Sequence, residues 1–164
     1  MKKFGWFFYW LSAIFLIIKL TVICWQQYNL HEVAYSGEEL TFELLFDLAM
    51  VRGFLIEPTL IALSLIGFII RNNTGFALAT IFSYFIMTNM LLNLTPFELY
   101  FTTTDIAQLL FALMVIIPIH YKKTLDLFFT KWTPKKLLKI NLSVFSLGLG
   151  INIAYQLILE SFLN

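Results

Sequence analysis

Residues that catalysis usually draws on are scarce in this chain. It has one cysteine and two histidines, and charged side chains make up 13% of its 164 residues, about half the share usual in soluble domains. The single cysteine, Cys24, excludes an internal disulfide and reads as a small apolar filler near a helix end. His31 and His120 fall on opposite sides of the topology argued below, so they share neither a metal nor a proton relay. H-E-x-x-H, G-x-S-x-G and paired cysteines are missing. The expectation is a non-enzymatic protein without metal or cofactor. A net charge of +1 also lacks the concentrated basic excess that phosphate backbones require, which argues against nucleic acid as a partner.

What is present is apolar surface. The chain is 60% hydrophobic, more than a water-soluble domain of this length can hide. A helix needs roughly 20 mostly apolar residues to cross about 30 Å of hydrocarbon, and only helices and closed barrels satisfy their backbone there. Five stretches follow the helical pattern: residues 4–25, 50–70, 76–94, 106–121 and 140–159. The sequence thus predicts an all-α, polytopic membrane bundle of about five spans forming a single domain. The opening Met1-Lys2-Lys3 and its apolar run lack a small-x-small cleavage site and are interrupted by Lys19, which predicts an uncleaved anchor. Arg71-Asn72-Asn73-Thr74-Gly75 suits a tight turn between the second and third spans. Thr133-Pro134 suits an N-cap followed by proline at the first helical position.

Basic residues set the orientation. With the N-terminus inside, the inner segments hold Lys2, Lys3, Arg71, Lys122, Lys123, Lys131, Lys135, Lys136 and Lys139, nine of the eleven Lys and Arg. The outer segments are acidic, which predicts N-in and C-out. Ser36-Gly37-Glu38-Glu39 has the form of a capping box and predicts an outer amphipathic helix leading into the second span. The inner segment 122–139 mixes lysines with Leu125, Phe128, Phe129 and Trp132, as expected of an interfacial stretch against anionic lipid headgroups.

A few costly polar residues remain. Lys19 and Glu57 lie inside spans and Arg52 at a margin; each charge within hydrocarbon costs about 2.5–3.5 kcal/mol on insertion scales. Lys19 lies six residues before Trp25 and Glu57 seven after Met50, so antiparallel neighbours hold them at nearly one depth, where they are expected to pair. Pro58 is expected to kink the second span beside Glu57. Asn89 with Asn93, and Asn152 with Gln156, share helix faces at four-residue spacing, and Gln108 completes the set. These eight residues are the candidate ligand or ion site, converging on a pocket in the outer half. Ser146, Gly150 and Ala154, like Gly75, Ala79 and Ser83, form small-residue stripes expected to pack within the chain.

The expected function is that of an accessory subunit or binding module recognising an apolar or amphipathic ligand, or a partner helix, through the outer half. The alternative is a small oligomeric transporter or channel using Lys19 and Glu57 as an ion or proton relay. Partners expected are lipid, a membrane protein or further copies of the chain. High Phe, Ile, Lys and Asn usage points to the inner membrane of a bacterium with an AT-rich genome.

Overall fold

The computed structural model describes residues 3–34, 41, 56–93, 103–129 and 131–163. Among these, six helices follow in order: α1 (Lys3–Ala34), α2 (Ile56–Ile69), α3 (Asn73–Asn93), α4 (Thr103–His120), α5 (Lys122–Phe128) and α6 (Pro134–Leu163). No strand occurs among the described residues. The amphipathic helix expected after Ser36 lies outside them, save for Thr41, which is exposed and carries no regular structure.

Three helices are long and apolar enough to cross a bilayer, over Phe4–Gln26, Asn73–Leu92 and Pro134–Ile158. α4 joins them as a fourth only together with α5, from which it is bent by 75°. Pro118 in the last turn of α4 cannot bond the Met114 carbonyl, and Tyr121 is extended at φ −61° and ψ 132°. The chain therefore leaves the helix and lays α5 across the end of the bundle. α2 is a shorter apolar helix of 14 residues. Its described part opens at Ile56, so Glu57 and Pro58 are helical, while the residues before Ile56, and with them the kink expected at Pro58, lie outside those described.

Local chemistry fixes the remaining helix starts. Asn72, rather than the whole stretch to Gly75, makes the turn before α3: its Oδ1 accepts the Gly75 N–H at 2.9 Å and its carbonyl the Phe76 N–H at 2.9 Å. Thr133 caps α6, its Oγ1 accepting the Lys136 N–H at 3.2 Å. α6 thus opens at Pro134, as Thr133-Pro134 suggested, six residues before the expected span, and carries Lys135, Lys136 and Lys139 of the basic segment.

α3 is the hub. It packs against α2, α4 and α6, while α1 closes the opposite side against α2, α4 and α5. Every α3 residue from Ala79 to Ile86 is buried. The α2–α3 approach is unusually close: a Cβ on Gly67 would strike the Ala79 amide nitrogen and lie 2.6 Å from the Gly75 carbonyl oxygen. Gly75, Ala79 and Ser83 are all buried within the chain, as expected. The α6 stripe is not. Ser146, Gly150 and Ala154 are exposed, and a Cβ on Gly150 would meet nothing within 4 Å. Gly148 meets α3 instead, its would-be Cβ 3.1 Å from the Phe85 nitrogen; two residues along a helix turn the chain by about 200°, which points the stripe away.

The outer surface is apolar along several helices. Phe7, Trp10, Ile14, Ile17 and Val22 on α1, Leu110, Met114 and Ile117 on α4, and Leu142, Leu147 and Leu157 on α6 are all exposed. Water would penalise such a surface, whereas lipid accommodates it.

The basic segments gather at one end. The Arg71 guanidinium lies 4.6 Å from the Trp6 ring centroid, Lys123 Nζ 5.6 Å from Phe4 and Lys136 Nζ 5.3 Å from Phe129. Beneath them Tyr9, Phe68, Phe76, Phe128 and Phe129 form a ring cluster with centroids 5.0–6.1 Å apart. Three connections far apart in sequence thus bring their lysines and arginine to the same place.

Candidate functional site

The levels of the polar residues follow from hydrogen bonds that tie neighbouring helices. Ser12 on α1 donates to the Val115 carbonyl on α4 at 3.1 Å. Seven residues onward along α1 and seven back along α4 stand Lys19 and Gln108. Likewise Ser64 Oγ on α2 accepts the Phe82 N–H on α3 at 3.4 Å, and seven residues further toward the same end stand Glu57 and Asn89. Seven residues are nearly two turns, so each pair sits about 10 Å beyond its tie on almost the same helix face.

A third tie joins the two pairs. Tyr9 and Phe68 are in contact with ring centroids 5.0 Å apart. Lys19 is ten residues beyond Tyr9 and Glu57 eleven before Phe68, so they lie about 15 and 17 Å from that contact. Lys19, Glu57, Asn89 and Gln108 therefore share one level of the bundle, away from the basic end, and all four are half-buried.

The equal depth expected of Lys19 and Glu57 is present, but their ion pair is not: among the described residues neither forms one. The registers give the reason. Lys19 continues the α1 line that faces α4, and Glu57 the α2 line that faces α3. Each charge lies seven residues from a tie to a helix that does not carry the other charge.

Asn152 belongs to the same level through α6. Its Nδ2 donates to the Phe85 carbonyl at 2.9 Å, to Thr88 Oγ1 at 2.8 Å and to the Gly148 carbonyl at 3.1 Å. Thr88 stands beside Asn89, and Asn152 is buried. Its amide nitrogen is a clamp holding α6 on α3. Gln156 lies one turn beyond and is half-buried. Arg52 and the side chain of Asn93 lie outside the described residues.

Two further polar arrangements were not evident from sequence. Tyr155, between Asn152 and Gln156, lies within electrostatic reach of the Glu57 carboxylate; its place one turn from Asn152 was the available signal. His120 closes the other end of α4. Its Nδ1 donates to the Ile116 carbonyl at 2.8 Å, which leaves Nε2 to accept from Asn141 Nδ2 at 2.9 Å. Asn141 Oδ1 is buried without a hydrogen-bond partner. That arrangement ties α4 to α6 and is remote from the Lys19 level.

The described residues contain no cluster of three His, Cys, Asp or Glu able to hold a metal. The polar level offers one cation, one anion, three amides and a phenol set between apolar helices. Such a set can hydrogen-bond and orient a ligand that carries polar groups on an apolar body. Comparison with protein families, characterised proteins and solved structures finds no match to this chain.

Proposed function

We propose that this chain is a non-enzymatic, multi-pass membrane protein that recognises an amphipathic ligand or a partner helix through the half of the bundle away from its basic end. α1, α2, α3, α4 and α6 are its five crossings, with the basic end and the N-terminus in the cytoplasm. A bacterial inner membrane is the setting proposed from composition. The observation that carries the reading is the coincidence of two registers: seven residues from each of two cross-helix ties stand a charged residue on one helix and an amide on the other. Polar groups at such a level are retained against their insertion cost, as binding sites within membranes are.

Equal depth of Lys19 and Glu57 also favours a second reading, an oligomeric relay for ions or protons. Two measurements separate them. In a Cys24→Ser background, Glu57→Cys is expected to react with a water-soluble thiol reagent applied from the side opposite the basic end; protection from that reagent would remove the binding level. Co-purification in mild detergent with a size measurement is expected to recover a hetero-complex or a bound amphiphile. A homo-oligomer whose proton flux in vesicles vanishes with Glu57→Gln would replace binding by transport.

A further inference from the structure

The polar level leaves the opposite end of the bundle unexplained. There the α2–α3 turn, α5 and the first turn of α6 enclose an open cleft of about 430 Å³. Its walls carry two cations from separate elements, Arg71 from the turn and Lys136 from α6. Each is held on an aromatic face, Arg71 on Trp6 and Lys136 on Phe129. A guanidinium over a ring spends no hydrogen-bond donor on that contact, so its N–H groups remain for a ligand. Stacking also orders side chains that binding would otherwise have to immobilise.

One carboxylate shares the cleft without pairing with either cation. Asp126, its one carboxylate, accepts the Trp132 Nε1–H at 3.0 Å, and among the described residues it forms no ion pair with either cation. The lining side chains carry a net charge of +1. The amides of Asn73 and Thr74, on the same wall, open α3 and have no acceptor within the helix. An oxyanion with a small substituent matches this combination in sign and in size. The cleft also lies where apolar helices stop and Trp6 and Trp132 stand, the position of aromatic residues at headgroup depth.

We propose that this cleft holds the phosphate of a phospholipid headgroup between Arg71 and Lys136. The assignment is independent of the polar level, and either can fail without the other. Recognition is by paired cations from two elements, so it differs from the diffuse attraction of a lysine-rich surface for anionic lipid.

The test uses the full chain in a neutral detergent, titrated with short-chain phosphatidylglycerol and followed by native mass spectrometry. One saturable lipid per chain is expected. Arg71→Gln and Lys136→Gln should each weaken it about tenfold, with Arg71→Lys in between because it keeps charge but loses the fork. The double variant Lys135→Gln and Lys139→Gln, on the same helix but outside the cleft, should weaken it less than about threefold. Equal weakening by the two sets, or binding that never saturates, would overturn the site in favour of a diffuse basic surface. Glycerol 3-phosphate is expected to bind about a hundredfold more weakly, because it lacks the acyl chains; equal affinity would make a soluble phosphate ester the ligand and overturn the lipid assignment. Unchanged thermal unfolding of each variant shows that the loss is one of binding.

Discussion

The two ends of this bundle are built on opposite principles. At the basic end, rings interlock, a glycine on α1 lets the chain approach Lys123, and Thr124 reaches across to the Gly5 carbonyl at 3.4 Å. Toward the other end, charged and amide side chains stand half-buried at one level, and Asn152 is tightly bonded across helices. The first arrangement contributes stability. The second forgoes stability for polarity inside an apolar bundle, as functional sites do.

Substitutions can break or sharpen that contrast. The largest effect is expected at the α2–α3 contact: Gly67→Leu must push two backbones apart and should destabilise the bundle by about 3 kcal/mol or more, measured by detergent-denaturant unfolding. Gly150→Leu on the open face of α6 should stay within about 0.5 kcal/mol, and equal losses would contradict the packing described. Lys19→Leu comes next and has the opposite sign. It removes a charge from the apolar bundle and should raise stability by about 2 kcal/mol while weakening capture of a ligand; a fall in stability would make Lys19 a structural residue. Asn152→Leu should cost about 1.5 kcal/mol and free α6 from α3, seen as faster proteolysis of α6 with the other helices intact. The smallest effect is expected at Ser12→Ala, about 0.6 kcal/mol lost with its bond to Val115. Opposite signs for Lys19→Leu and Ser12→Ala, on one helix and seven residues apart, would be the sharpest form of the comparison.

Much of this was legible in the chain. Alternation of basic and acidic connections anticipated that Arg71, Lys123 and Lys136 would meet at one end. Counting inward from Trp25 and Met50 anticipated the shared level of Lys19 and Glu57. Thr133-Pro134 announced the start of a helix because its chemistry is local. What sequence did not disclose depends on how helices turn toward one another. Which face of α6 meets α3 is decided by Gly148 and Asn152, not by the more regular Ser146, Gly150 and Ala154 stripe. Lys19 and Glu57 share a level but not an interface, and depth alone could not separate those. The bend after His120 arises from an extended Tyr121 that no apolar periodicity reveals, and Gly75 proved to be a contact residue inside α3 rather than part of a turn.

Depth is the quantity on which the account stands. Spin labels at positions 19, 57, 89 and 108, placed one at a time in the Cys24→Ser chain in a bilayer, report immersion through their collision rates with oxygen and with a water-soluble nickel chelate. The four depths are expected to agree within about one helical turn, about 5 Å. Labels at 19 and 57 differing by more than about two turns would dissolve the level, and the proposed recognition site with it.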